Sequence, residues 1–177
     1  MLGIIIGIVV FVILIIVTVK ICYGKFQYTI IKMDEAENNI DILLQKKLDL
    51  LKKCRPIIEK AIKDIDFMND VEDISTRDMN HFELHNYLKE NYNSLFKILD
   101  DNSKLYKKKN LITIIENIND NELELVAAIK FYNDNVVVFN QLIMTFPSNI
   151  LKVVFGYKKK EFYNNEKREI FEILKNK

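Results

Sequence analysis

The sequence predicts an all-α protein: an N-terminal transmembrane helix followed by an antiparallel up-and-down four-helix bundle, three helices long and one short. Three observations predict it. Four Gly and two Pro in 177 residues supply too few turn-formers for a sheet protein, while Ile, Leu, Lys, Glu and Asn abound. The first twenty residues carry an unbroken apolar run. From residue 40 to 146, apolar side chains recur at three- and four-residue intervals, the period of packed helices.

The apolar run is "LGIIIGIVVFVILIIVTV", Leu2 to Val19, without a charge. As a helix it covers about 27 Å of hydrocarbon, enough to cross a bilayer. The rival reading, a cleaved signal peptide, needs a basic leading region, a shorter apolar core and small residues at the cut, and the sequence has none of these. No Lys or Arg precedes the run, whereas Lys20, Lys25 and Lys32 follow it. The positive-inside bias then puts the N-terminus outside and the C-terminal domain in the cytoplasm of a single-pass cell-membrane protein. Gly3 and Gly7 lie on one helix face, where the backbone of a second copy can approach closely. A homo-oligomer through the transmembrane helix is one reading of that spacing; the other is the ordinary abundance of Gly in membrane helices. Cys22 and Cys54 stand about 48 Å apart along a continuous helix, beyond disulfide reach.

Two apolar stripes run side by side from Phe26 to about Met68. One is Leu44, Leu48, Leu51, Ile58, Ile62 and Ile65; the other is Ile40, Leu43, Leu50, Cys54, Ile57, Ala61 and Met68, interrupted by Lys47 and Asp64. A double stripe faces two neighbours, as in a bundle, and Pro56 within it predicts a kink. Ser75 with Asp78 resembles a capping box opening a second helix that runs to about Asn102 on His85, Leu88, Tyr92, Leu95 and Leu99, supported by Phe82 and Ile98. A third helix follows from about Leu111 to Phe146, capped by Asn110, with a soft point at residues 117–120, where Asn and Asp compete for backbone bonds. Pro147 stops it, and "PSNILKVVFG" reads as a short fourth helix with Ser148 as cap and Gly156 as terminator. Residues 1–21 thus form the anchor, 22–39 a juxtamembrane stalk continuing into the first bundle helix, 40–157 the bundle and 158–177 a charged tail. In that tail Phe162, Ile170, Phe171 and Leu174 suit a docking amphipathic helix.

Chemistry-bearing patterns are sparse. "HFELH" puts both histidines, His81 and His85, at a spacing that lets two imidazoles face one metal ion, but the zinc-protease order of His and Glu is absent. His85 suits the packed seam and His81 an exposed position. No phosphate-cradling loop, nucleophile elbow or CxxC pair occurs, so no catalytic residue, cofactor or enzymatic activity is expected. A net charge of +1 gives no bulk attraction to nucleic acid.

The stretch "FYNDNVVVFNQLIMTFPSN", residues 131–149, repeats an amide one heptad apart on an apolar helix, at Asn133 and Asn140. Either each amide enters the bundle interior, where it specifies register by demanding a partner, or both sit at a wet rim. With its continuation "ILKVVFGYKKKEFY" the stretch resembles the carboxyl-terminal signature of the LemA family of bacterial proteins. That signature has a YN pair, a second Asn a heptad later, then FP (Phe146-Pro147), a further Asn (Asn149) and FG plus an aromatic (Phe155-Gly156-Tyr157). The resemblance reaches back through Glu122, at the family's acidic position, and Pro56, at its helix-interior proline. Ile129 departs from the basic residue usual before the YN pair, leaving Lys130 as the nearest substitute partner for Glu122. Ser103-Lys104 departs from a common Tyr-Pro.

The resemblance implies a membrane-anchored antiparallel four-helix bundle without established enzymatic activity. The expected function is that of a bacterial membrane protein whose bundle is an interaction or scaffolding module for a protein partner. Its surface of use is expected around Ile150, Val153, Val154, Phe155 and Tyr157, unless that patch serves to close the bundle end, the more common use of such a patch. The alternative is a metal- or small-molecule-binding bundle using His81 and His85.

Overall fold

The computed structural model describes residues 1–62, 65, 67, 68 and 79–163. Among them lie four α-helices and no strand: α1 (Leu2–Glu59), α2 (His81–Asp101), α3 (Lys109–Met144) and α4 (Asn149–Phe155), with a 3-10 turn at Ser103–Lys107 between α2 and α3. The class is all-α, with three long helices and one short.

The apolar run passes into the double-striped segment without a break, so α1 is a single helix of 58 residues. It ends at Glu59 rather than near Met68, with Pro56 in its last turn instead of at a mid-helix kink. Proline removes a backbone donor and crowds the preceding turn, so a helix that need not continue stops there. The apolar period runs on, but Ile62 and Ile65 are only half-buried, and Met68 turns back at a φ of 56°.

Asn80 caps α2: its Oδ1 accepts from the N–H groups of Phe82 and Glu83 at 3.0 and 2.9 Å, while Glu83 Oε2 accepts from Asn80 N–H at 3.1 Å. This reciprocal box satisfies the otherwise unpaired first-turn donors. The box expected at Ser75 and Asp78 lies outside the described residues. Leu84, Leu88, Leu95 and Leu99 form the buried edge of α2, with Phe82 exposed and His85 and Tyr92 half-buried. α3 begins at Lys109, which places Asn110 inside the helix, and it runs through residues 117–120 without the expected soft point. Asn119 there and Asn121 just beyond bond to other helices. Asn119 Oδ1 accepts from Tyr92 Oη at 2.8 Å, and buried Asn121 donates from Nδ2 to Leu43 O at 3.0 Å.

The helices build two compact units, residues 38–129 and residues 1–37 with 130–177. In the first, pairs between Leu43 and Asn121 and between Ile57 and Lys108 show that α1 and α3 run antiparallel. The direction of α2 corrects the up-and-down order. His81 pairs with Asp41, and Tyr92 lies under the Lys47 ammonium, so numbering rises together along α1 and α2 and the two are parallel. The physical reason lies in the connectors: only residues 102–108 separate α2 from α3, which leaves those two antiparallel and so sets α2 parallel to α1. Ile40, Leu43, Leu44, Leu48, Leu51, Cys54 and Ile58 of α1, with Leu88, Leu95 and Leu99 of α2 and Leu111, Ile118 and Leu125 of α3, are buried and make up the core of this unit.

In the second unit Phe26, Met33 and Ala36 of α1, within the segment read as a juxtamembrane stalk, are buried. Phe26 meets Phe139 edge-on at 5.6 Å between ring centroids and stacks on Tyr157 at 4.7 Å. Offset and edge-on ring contacts of this kind contribute beyond their area, about 0.5–1.5 kcal/mol each.

Candidate functional site

Gly156 turns the chain out of α4 at a φ of 67°, a left-handed conformation that costs other residues about 1–2 kcal/mol. Tyr157 N–H then donates to Lys152 O at 3.1 Å, and Gln27 Nε2 donates to the Tyr157 hydroxyl at 3.2 Å. The turn delivers residues 158–163, which have neither helix nor strand, along α3.

There the two heptad-spaced amides find their partners. Asn140 Nδ2 donates to Lys160 O and its Oδ1 accepts from Lys160 N–H, both at 2.9 Å. Asn133 Oδ1 accepts from Tyr163 N–H at 2.8 Å. Seven helical residues rise about 10.5 Å, and three extended residues reach about 10 Å. A heptad on α3 therefore matches a three-residue step of an extended strap running the opposite way. Neither amide enters the interior; both are half-buried, and the register they specify is that of the strap. Tyr132 packs edge-on against Tyr163 at 6.3 Å, and burial first, then the nearby Glu37 and Asp34 carboxylates, push its phenol up to about 12. Of the tail residues expected to dock, Phe162 is exposed, and Ile170, Phe171 and Leu174 lie outside the described residues.

The remaining signature residues gather around α4. Phe146-Pro147 is a cis peptide bond. Asn149 N–H donates to Thr145 O at 2.9 Å. Ser148 starts α4 without a side-chain cap, its hydroxyl instead donating to Cys22 Sγ at 3.5 Å. Phe155 packs against Tyr23 at 5.3 Å. A Cβ built on Gly3 or Gly7 meets no atom within 4 Å, so that face of α1 is open within the chain.

In the unit of residues 38–129, Lys47 is 1 % exposed and its Nζ lies 2.5 Å from Glu122 Oε2 and 5.0 Å from the centre of the Tyr92 ring. A buried ammonium is tolerable only with such pairing. The substitute partner proposed for Glu122, Lys130, instead pairs with Asp134 one turn on, at 2.6 Å. Lys47 was legible only as an interruption of an apolar stripe; its place a heptad after Ile40 and a heptad before Cys54 is the signal of an interior position. Cys54 itself is buried, and desolvation pushes its thiol up to about 12.

His81 Nδ1 lies 2.6 Å from Asp41 Oδ1, His85 is half-buried, and among the described residues no three His, Cys, Asp or Glu side chains group to hold an ion.

A family model described as the LemA family matches residues 36–173. No curated protein and no solved structure matches the chain. The match spans well over half of the 177 residues, from the α1 segment that carries Lys47 to the strap held by Asn133 and Asn140, and the chain belongs to the LemA family.

Proposed function

We propose that this protein is a single-pass bacterial membrane protein whose helical units form a cytoplasmic, non-catalytic interaction or scaffolding module. The observation that carries the reading is the apolar run of α1. None of it is buried within the chain, and it continues without interruption into the helix that contributes to both folded units. A length of that size exposed to water is unfavourable, and a bilayer removes it from water. Lys20, Lys25 and Lys32 directly after the run favour the cytoplasmic side for the folded units.

The module reading is supported by where polar groups go. Lys47, Glu122, Asn119, Asn121, Asn133 and Asn140 each bond another part of the chain, which is the use of polarity expected of a scaffold. In-cell crosslinking of the full-length chain, with identification of the attached proteins, tests the proposal. A reproducible protein partner recovered from the membrane fraction is expected. A chain that crosslinks to nothing and purifies with a stoichiometric metal ion or small molecule contradicts it.

A further inference from the structure

The short helix α4 shows more grease than it hides. Leu151 is buried, whereas Ile150, Val153 and Val154 are 53 %, 83 % and 68 % exposed, and Phe146 just before the helix is 76 % exposed. At about 100° per residue, Ile150, Val153 and Val154 share one arc of the helix and Lys152 stands opposite.

The position of this arc is specific. Ser148 touches Cys22, and Phe155 packs on Tyr23. Those α1 residues lie about 4.5–6 Å past Val19, where the apolar run ends, and this is headgroup depth for a bilayer crossed by that run. Orientation agrees. Within this unit, Phe26 meets Phe139 and Glu37 meets Tyr132, so α3 descends antiparallel to α1. α4 then leaves α3 at 91°, which sets it across the axis of the span.

We propose that α4 is an interfacial helix lying in the plane of the bilayer, with Ile150, Val153, Val154 and Phe146 seated at the boundary between headgroups and acyl chains. The inference rests on the membrane-anchoring part of the proposed function and assigns this face to lipid rather than to a protein partner. Two features fit lipid. The face is continuous with the anchor, at a depth where lipid surrounds the span. Lys20 and Lys25 on α1 and Lys158 and Lys159 after Gly156 are exposed nearby and suit anionic phosphates, while Tyr23 and Tyr28 supply amphipathic rings of the kind that settle at headgroup level.

The chain contains no Trp, so a single introduced Trp reports its own surroundings. Full-length Val153→Trp, changed at a side chain that touches little, is reconstituted in vesicles of phosphatidylcholine and phosphatidylglycerol carrying brominated acyl chains. Ile8→Trp in the apolar run reports anchoring. The expected result is a blue-shifted Val153→Trp emission, quenched most by bromines near the headgroup, with Ile8→Trp quenched by deep bromines. Water-like, unquenched emission at 153 beside quenching at 8 overturns the proposal and leaves the anchor standing. Blue-shifted but unquenched emission at 153 means protein covers the face, and also overturns it. Absence of quenching at both positions removes the anchoring reading and this inference with it.

Discussion

Asn140 grips the main chain of Lys160 on both its donor and its acceptor, at 2.9 Å each, as a neighbouring strand residue would. Because the grip is on backbone, it places the strap without reading side chains there. Net hydrogen bonds of this kind are worth about 0.5–1.5 kcal/mol each. Asn140→Ala is therefore expected to cost about 1–2 kcal/mol of strap closure and to raise amide exchange at Lys160 by about tenfold or more. Helix content should stay unchanged. Hydrogen exchange read by mass spectrometry checks it, with Asn133→Ala shifting Tyr163 instead.

The Lys47–Glu122 pair predicts an asymmetric response. Glu122→Ala strands a buried ammonium and is expected to destabilise by about 3 kcal/mol. Lys47→Met keeps the packed stem and leaves Glu122, which is 32 % exposed, able to turn to water, so its cost should stay within about 1 kcal/mol. Urea midpoints of the two variants and of the double variant decide it. Adding Lys47→Met to Glu122→Ala should recover most of the loss.

Gly156→Ala isolates a backbone effect. A Cβ there meets no atom within 4 Å, so only the left-handed φ opposes it. A loss of about 1 kcal/mol in denaturant unfolding is expected, and Gly156→Asn should lose less.

Alkali should unfold the protein through two groups. Cys54 and Tyr132 are both held up to about 12 in the fold, from ordinary values of 9.0 and 10.0, chiefly by burial. The unfolded chain releases these protons first, so the stability they contribute is complete below about pH 9 and is lost as pH rises toward 12. Tyr132→Phe should flatten the part of that decline above pH 10, as followed by circular dichroism.

Much of the fold was written in the sequence, and the failures have physical causes. The stripes through Ile40, Leu44, Leu51 and Ile58 are the core of α1 because burial enforces the helical period. Periodicity carries no direction, so the stripe of α2 did not reveal its parallel course beside α1. Asn80 with Glu83 carries the reciprocal capping pattern of α2 in the form Asn-x-x-Glu, the same kind of pattern as Ser75 with Asp78, which lie outside the described residues. Asn133 and Asn140 announced themselves by spacing. Their partner did not, because a side chain that bonds backbone leaves no residue preference at the other end. Lys47 was masked by the habit of reading charge as surface.

The central claim, that α1 anchors these helical units in a membrane, is tested most directly by alkaline carbonate extraction of membranes from cells making the full-length chain, with N-terminal sequencing of the product. The chain is expected to stay in the membrane pellet with its apolar leader intact, and a version lacking residues 2–19 to be released. A full-length chain washed into the supernatant, or a product that begins downstream of Cys22, contradicts the account.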